Sequence, residues 1–374
     1  MIIRCFFHRA FGTILTLAVI LFTTVLRANP PEGILDETHA SVRAVIAVQD
    51  DVTPELLSTD GILGTAVGLD NNQPVLVVYV DKDGAKVDDV IRSVPARIGG
   101  TGVKVELTEK FQAFRGRPGG GGQNSVSHKA KQSTPIQLGT SGGWRKDLAN
   151  GYCCGGTLGS MIQVNGIQYI LSNYHVFEAD IVNGGNSTVA TTGDYIIQPG
   201  LIDVNCNAAN AQNVGTLVKL SSLPNSNVDC SVAQVISGAV ASNGAILEIG
   251  TLSAQTVGAS LNQAVKKSGR TTGLSRSRIS GLNATISVTY DNECAGGTAF
   301  TKTFTGQIVV ANSSSSFLAS GDSGSLMVED VTTNPRAVGL LYAGSSTSAI
   351  ANPINEVLQF LGSKLGGTAT MVGN

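Results

Sequence analysis

The segment SGDSGSLMV, residues 320–328, places an acid and a serine between two glycines, immediately before an apolar run. Gly321 and Gly324 allow backbone conformations that residues with a side chain rarely adopt. A serine on such a turn can present its hydroxyl together with two neighbouring backbone N–H groups. A polar β-turn is the alternative interpretation, because Gly and Ser clusters commonly form turns. The segment therefore predicts a nucleophilic Ser323 only if the rest of the chain supplies the groups that activate it.

A serine hydroxyl needs a base to take its proton, and that base is most often a histidine. From residue 135 onward the sequence contains one histidine, His175, in the segment LSNYHVF. Asp229, in VDCSVAQV, lies in an apolar strand where an unpaired carboxylate is costly, so it is the candidate that orients the imidazole. Taken singly, His175 also fits a core histidine at a strand end, and Asp229 a cap or turn residue.

The order of these residues along the chain distinguishes classes of serine hydrolase. An α/β-hydrolase requires its histidine after the serine, but none follows Ser323, and position 325 is serine where the nucleophile elbow requires glycine. A subtilisin-like order requires an aspartate before the histidine, and only Asp147 precedes His175 in this part of the chain. The remaining order, His175, Asp229 and then Ser323, favours two barrels, of which the second supplies the nucleophile.

Three segments, LSNYHVF, VDCSVAQV and SGDSGSLMV, resemble the three motifs of chymotrypsin-fold serine peptidases. The segment 265–290 is similar to the corresponding part of bacterial alpha-lytic and streptogrisin-type enzymes. The segments GDYIIQPGLIDVNC and GLLYAGSSTSAIANPI are similar to trypsin-like proteins related to the plant narrow-leaf family. The resemblance covers about residues 150 to 360, and it implies a mostly β chain that forms a double Greek-key β-barrel.

The resemblance implies a role for each residue of these motifs. His175 would be the general base, Asp229 its orienter and Ser323 the acylated nucleophile, while the N–H groups of Gly321 and Ser323 would form the oxyanion hole. The expected function is that of an exported serine endopeptidase acting on a peptide or protein substrate, without a cofactor or metal. A catalytically weak binding or regulatory protein on a peptidase fold, and an esterase that uses the same triad, are the alternatives.

The chain departs from the family pattern near the histidine. Where the family has a cysteine just after the catalytic histidine, this chain has Val176, so we predict that Cys154 pairs elsewhere, with Cys206. Phe317 stands at the position that often lies at the base of the specificity pocket, so we expect no preference for Lys or Arg. In the alpha-lytic type an arginine of the segment SGRTTG neutralises the acid before the nucleophile, which predicts an ion pair between Arg270 and Asp322 that supports the site.

Composition limits the classes of partner. The chain has 374 residues, of which 14% are charged, and a formal net charge of −2, so neither nucleic acid nor an anionic membrane surface is an expected partner. Its 45 glycines and many Ser, Thr and Val residues favour a turn-rich β protein. After removal of Cys5, five cysteines remain, so at least one thiol is unpaired. The oligomeric state is left open.

The chain divides into four predicted parts. Residues 1–28, with two arginines before an uncharged apolar run, predict a signal peptide and hence a secreted or periplasmic protein; retention as an anchor is the alternative. Residues 29–114 predict a small α+β unit, in the order α-β-β-α-β, which is either a pro-region or a permanent accessory domain. Residues 115–135 predict a flexible, protease-accessible linker, and residues 136–374 the β-barrel domain.

Overall fold

The computed structural model describes residues 33–113, 126–149, 152–178, 190–290, 300–313 and 316–374. The predicted signal peptide lies outside these residues. From Pro31 to Asn374 the chain forms one compact unit. Within the described ranges, no helix combines the length and the apolar character that crossing a membrane requires.

The N-terminal unit contains the predicted order α-β-β-α-β, because its apolar runs alternate with turn residues, and it has two short strands that were not predicted, one before and one after the last predicted strand. The turn between its first two strands has positive φ at Asn71 and Asn72 (48° and 62°), as tight hairpins require. The elements are α1 (Ala40–Leu57), β1 (Ile62–Asp70), β2 (Gln73–Asp81), α2 (Val87–Ser93), β3 (Arg97–Ile98), β4 (Thr101–Thr108) and β5 (Phe111–Ala113).

The remainder of the described chain is mostly β, as expected. The elements of the first part are β6 (Thr140–Trp144), β7 (Leu148–Ala149), β8 (Tyr152–Cys153), β9 (Gly156–Leu158), β10 (Ser160–Val164), β11 (Ile167–Ser172), α3 (Tyr174–Phe177), β12 (Tyr195–Gln198), β13 (Gln212–Val218) and β14 (Ser231–Val235), with short 3-10 turns at Leu201–Asp203 and Ala208–Asn210. Those of the second part are β15 (Ala264–Gly269), β16 (Gly273–Tyr290), β17 (Phe300–Ala311), β18 (Leu326–Glu329), β19 (Ala337–Gly344), β20 (Ser348–Pro353), α4 (Ile354–Leu365) and β21 (Ala369–Met371).

The two parts form two barrels, except that β21, at the end of the second part, pairs with β10 and joins the first barrel. In the first, the strand order is β21-β10-β11-β14-β13-β12-β6-β9. Only Gly159 separates β9 from β10, so the two ends of this sheet meet and the sheet curls on itself. In the second, β15-β18-β19-β20-β17-β16 is closed by a direct pairing of β16 with β15. Closure leaves few free strand edges, which is how antiparallel folds of this kind avoid unpaired backbone groups.

The N-terminal unit extends the sheet of the second barrel. β1 pairs with β16 in antiparallel register, with Gly64 opposite Ile286. Further along the same edge of β16, β5 pairs in parallel, with Phe111 opposite Val288. The unit is therefore attached through backbone hydrogen bonds, as a continuation of the barrel wall.

The same strand β5 fills an edge of β19. The pairing of β18 with β19 reaches Leu340, beyond which β5 takes over in antiparallel register, with Ala113 opposite Ala343 and Gln112 opposite Gly344. Side chains reinforce this contact. The Thr108 hydroxyl donates to Ser345 Oγ at 2.6 Å.

Residues 126–135, which the sequence assigned to the linker, pack against the first barrel instead. The His128 carbonyl accepts from Ser141 N–H at 2.8 Å, and the His128 side chain, with 4% of its surface exposed, lies 2.6 Å from Glu248 Oε2 through Nε2. The Ala130 carbonyl accepts from Gln198 Nε2 at 2.8 Å. The barrel domain therefore includes residues from 126 onward. The glycine run of the predicted linker lies outside the described residues.

Candidate active site

His175 and Asp229 meet at one edge of the first barrel. β11 and β14 are adjacent antiparallel strands with Ser172 opposite Ser231, so the residues after β11 and before β14 come together. His175 Nδ1 lies 2.6 Å from Asp229 Oδ2, and both side chains are 0% exposed. Because a carboxylate only accepts hydrogen bonds, the imidazole proton resides on Nδ1 and Nε2 is left as an acceptor. This is the tautomer that a general base requires.

Asp229 is held by hydrogen-bond donors on both of its oxygens. Oδ1 accepts from Tyr174 N–H at 2.8 Å, and Oδ2 accepts from the Tyr290 hydroxyl at 2.9 Å as well as from His175. Its backbone N–H donates to Asn352 Oδ1 at 2.9 Å, which anchors the residue to the second barrel. A buried carboxylate is tolerated only with such partners. Asp229 is therefore fixed in position.

The turn around Ser323 packs against the first barrel so closely that it requires glycine. Gly324 has a φ of +91°, and a Cβ added there would lie 2.2 Å from Ser172 Oγ and 2.4 Å from Thr157 O. Both distances are shorter than real contacts allow. On the same side, Thr157 N–H donates to Ser323 O at 2.9 Å. The serine turn is thus pressed against the strand that leads to His175.

Two peptide groups beside the candidate nucleophile, Ser323, are held through their carbonyls. The carbonyl that precedes Gly321 accepts from Thr271 Oγ1 at 2.6 Å. The carbonyl that precedes Ser323 accepts from Ser325 Oγ at 2.5 Å. In a trans peptide the N–H points opposite to the C=O. The N–H groups of Gly321 and Ser323 are therefore directed away from these two hydroxyls by fixed peptide planes.

Ser323 and His175 are not hydrogen-bonded to each other. The Ser323 hydroxyl donates to Tyr342 O at 3.3 Å. Among the residues that the structure describes, His175 Nε2 has no hydrogen-bond partner. Ser323, like His175 and Asp229, is 0% exposed. The structure thus shows the three side chains covered, with the contact between serine and imidazole not made.

Asp322 pairs with a buried lysine. Lys267 Nζ lies 3.1 Å from Asp322 Oδ2, and both side chains are 0% exposed. Asp322 Oδ1 also accepts from the N–H groups of Thr271 and Thr272 at 2.8 and 3.1 Å. Burial lowers the pKa of Lys267, and the Asp322 carboxylate beside it acts in the opposite direction. The ion pair with Asp322 therefore helps to keep this buried ammonium charged.

The predicted pair of Arg270 with Asp322 is wrong. Arg270 forms a two-pronged ion pair with Asp203, in which Nε and Nη2 lie 2.7 Å from Oδ2 and Oδ1. Its backbone N–H donates to Thr157 Oγ1 at 3.0 Å. The reason is position: Lys267 lies within β15 and reaches into the second barrel, whereas Arg270 lies in the following turn and reaches the first. Arg270 therefore ties the two barrels together behind the serine turn.

The disulfide differs from its prediction by one residue. Cys206 bonds to Cys153, not to Cys154, with an S–S distance of 2.04 Å; Cys154 is disulfide-bonded as well. Val176 occupies the site of the missing family cysteine and is buried in the core of the first barrel. The expected unpaired thiol is Cys230, which is buried, and burial raises the pKa of this thiol well above its usual value.

Phe317 is 1% exposed and packs in a core cluster of the second barrel. Its carbonyl accepts from Ser275 Oγ at 2.9 Å. Whether its ring forms the base of a specificity pocket stays a prediction. In the described ranges, no three His, Cys, Asp or Glu side chains cluster in a way that would hold a metal ion.

Sequence reasoning missed several residues around the site. Glu178, which follows α3, accepts from Ser231 Oγ at 2.9 Å and from Leu220 N–H at 3.1 Å, and burial raises its pKa. Lys267 was detectable, because an alternating strand must turn one lysine of the pair at 266–267 inward. Tyr290 carried no such signal, since an aromatic residue at a strand end is ordinary core material.

The chain is similar to one protein family and to several solved structures. Residues 210–352 match the family described as the Nal1 C-terminal domain, which is less than half of the chain. No curated protein matches the sequence. Among solved structures, the chain is similar to Thermobifida fusca protease A, with 19% identity, 64% of this chain and 99% of that chain covered, and a TM-score of 0.41. Similar coverage, 64% and 99%, is found for Cellulomonas bogoriensis chymotrypsin, with 20% identity and a TM-score of 0.38.

A glutamic acid-specific serine protease is also similar, with 17% identity, 63% of this chain and 100% of that chain covered, and a TM-score of 0.40. None of these three likenesses carries a conclusion about activity. The two closed β-sheets and the N-terminal α+β unit of the described chain agree with the predicted chymotrypsin-like fold.

Proposed function

We propose that the chain is an exported serine endopeptidase that cleaves peptide bonds through His175, Asp229 and Ser323. The observation that carries the proposal is the buried contact of 2.6 Å between His175 Nδ1 and Asp229 Oδ2, beside a serine on a glycine-bounded turn. A buried imidazole and carboxylate in this arrangement suit a base that must accept a proton and hold it. A disulfide between Cys153 and Cys206 fits an extracellular location.

In this mechanism the Ser323 hydroxyl exchanges its bond to the Tyr342 carbonyl for one to His175 Nε2. His175 takes the hydroxyl proton as Oγ attacks the substrate carbonyl, and Asp229 stabilises the resulting imidazolium. The N–H groups of Gly321 and Ser323 bind the oxyanion, each worth about 2.7–4 kcal/mol in the transition state. The imidazolium then gives its proton to the leaving amine, and water hydrolyses the acyl-enzyme by the same steps.

A second candidate, a binding or regulatory protein without turnover, is favoured by one observation. Ser323 donates to the Tyr342 carbonyl and not to the imidazole, and the three side chains are 0% exposed. In a peptidase this state requires that a cover be removed. In a non-catalytic protein it would be permanent.

The N-terminal unit has two candidate roles, that of a pro-region and that of a permanent accessory domain. The pairing of β5 with β19 supports the idea that the unit masks the cleft. Gln112 is paired with Gly344, and the next residue, Ala113, is paired with Ala343. The residue of β19 that follows in this direction is Tyr342, whose carbonyl accepts from the Ser323 hydroxyl. β5 thus runs toward the nucleophile along an edge where an extended peptide would add as a strand.

The test is covalent labelling of the purified protein with a fluorophosphonate probe, followed by mass spectrometry. We expect Ser323 to be modified, slowly in the covered full-length chain. Ser323→Ala should remove both labelling and peptide hydrolysis, and His175→Ala should cost about as much, because such residues act as a unit. Ser316→Ala, in the exposed loop before the turn, serves as the matched control. A Ser323→Ala protein that hydrolyses peptides at the wild-type rate would show that the mechanism is wrong.

A further inference from the structure

Tyr290 places a phenol hydroxyl on the carboxylate of the candidate triad. It is the last residue of β16, in the second barrel, and 2% of its surface is exposed. Its hydroxyl lies 2.9 Å from Asp229 Oδ2, the same oxygen that contacts His175 Nδ1 at 2.6 Å. A second-barrel side chain therefore reaches the dyad of the first barrel directly.

The ring of Tyr290 is fixed by aromatic neighbours. It stacks on Phe300 with 4.8 Å between centroids and 7° between planes, and it meets Phe304 at 6.4 Å. Its edge-to-face contact with the His175 ring spans 5.9 Å at 71°. The backbone is fixed too, because Tyr290 is paired with Phe300 across the β16–β17 hairpin. The hydroxyl is thus held as a donor that needs no rearrangement.

The hydrogen bonds of Asp229 show what this donor does. Oδ1 is occupied by the Tyr174 N–H, and Oδ2 receives both Tyr290 and His175. A phenol donates to a carboxylate along one lone-pair direction and leaves the other for the imidazole. Without the hydroxyl, Oδ2 would keep His175 as its single partner in a site that excludes water, and the carboxylate would be held less firmly against rotation about its Cβ–Cγ bond.

We propose that Tyr290 is a positioning residue of the catalytic site, which holds the Asp229 carboxylate in line with His175. The proposal rests on the proposed peptidase function only for its kinetic consequence. The alignment of the imidazole is a property of the folded protein and is measurable without turnover.

The test is Tyr290→Phe in the full-length chain, since this change keeps the stacked ring and removes only the hydroxyl. Hydrogen bonds to charged groups are worth enough for an expected fall in kcat of about 10- to 100-fold, with KM little changed. The acidic limb of the pH profile of kcat/KM should move to higher pH, because Oδ2 of Asp229 then interacts with the imidazolium alone and stabilises it more strongly. Tyr169→Phe, in β11 and outside the site, is the control and should leave both unchanged.

A second measurement keeps the two proposals apart. The proton NMR signal of the His175 Nδ1–H, assigned by its loss in His175→Ala, should shift and exchange faster with water in Tyr290→Phe. If that signal and its exchange rate match the wild type, the positioning role is overturned, whether or not the protein is active. If the signal changes as expected while no form of the protein labels at Ser323, the positioning role stands and the peptidase function fails.

Discussion

If β5 covers the candidate nucleophile as proposed, truncating Phe111, the buried side chain of that strand, should uncover it. Phe111 is 0% exposed, and its ring meets Tyr79 of the same unit edge-on, with 5.6 Å between centroids. It belongs to a core cluster that also contains Tyr290 and Ala343 of the second barrel. Phe111→Ala therefore weakens the contact between β5 and the barrel without altering any residue of the triad.

The size of the expected effect follows from the two sets of contacts of Phe111, one within the N-terminal unit and one with the second barrel. Truncating a fully buried phenylalanine to alanine costs about 3–5 kcal/mol. Part of the contact, that with Tyr79, lies within the N-terminal unit and survives when β5 leaves the barrel. Taking about half of the cost as specific to docking gives about 2 kcal/mol, which is roughly a 30-fold rise in the population with β5 displaced.

The assay is the rate of fluorophosphonate labelling at Ser323 in the full-length chain, with folding checked by circular dichroism. We expect Phe111→Ala to label about 10- to 100-fold faster than the wild type, and Phe111→Leu to be intermediate. Leu107→Ala, which truncates a leucine of β4 that is 46% exposed, is the matched control and should label at the wild-type rate. A folded Phe111→Ala protein that labels no faster than the wild type would refute the idea that β5 limits access.

Two further predictions concern buried and interfacial charges. Lys267→Met should lower the free energy of unfolding, measured by urea titration, by about 3 kcal/mol, because it leaves Asp322 as an unpaired buried charge. Lys266→Met loses a hydrogen bond to a backbone carbonyl and should lower the free energy of unfolding by about 1 kcal/mol in the same titration. Glu109 has its pKa lowered from 4.5 to about 2 by a neighbouring lysine and the Ser346 hydroxyl. A lowered pKa means that this contact stabilises the fold fully above pH 4.5 and is lost as the pH falls toward 2. Glu109→Gln should therefore show a smaller loss of melting temperature over that range, and equal losses in the two proteins would contradict the assignment.

The barrels and the N-terminal order of elements were predictable because they depend on local patterns. Alternating apolar residues between turn signals define the strands, and the segment around Asp229 reads as a strand start on its own. The closeness of His175 to Asp229 followed from their order along the chain together with the resemblance. The pairing of β5 with β16 and β19 was not predictable, since a strand of three residues has no periodicity to detect.

Pairings between distant side chains were the weakest predictions, for a physical reason. Lys267 and Arg270 lie three residues apart, and each needs a carboxylate once buried, but the sequence does not show which acid each will reach. Only the direction of each side chain, set by the strand and the turn, assigns Lys267 to Asp322 and Arg270 to Asp203. The adjacent cysteines 153 and 154 posed the same problem, because neighbouring side chains of a strand point to opposite faces and the sequence does not show which of the two faces Cys206.

In the proposed function, the cover over Ser323 and the alignment of Asp229 depend on different pairings of the same barrel. β5 fills the edge of β19 beside Gly344, whereas Tyr290 is held by the pairing of β16 with β17. Displacing β5 would free the edge of β19, and it would also end the pairing of β5 with Val288 and Thr289 of β16, while Tyr290 keeps its pairing and stacking with Phe300. If the chain is latent only because it is covered, uncovering it should give activity at once, without a slow rearrangement of the triad. If instead the serine and the imidazole are held apart by the barrel itself, uncovering alone would leave Ser323 unlabelled.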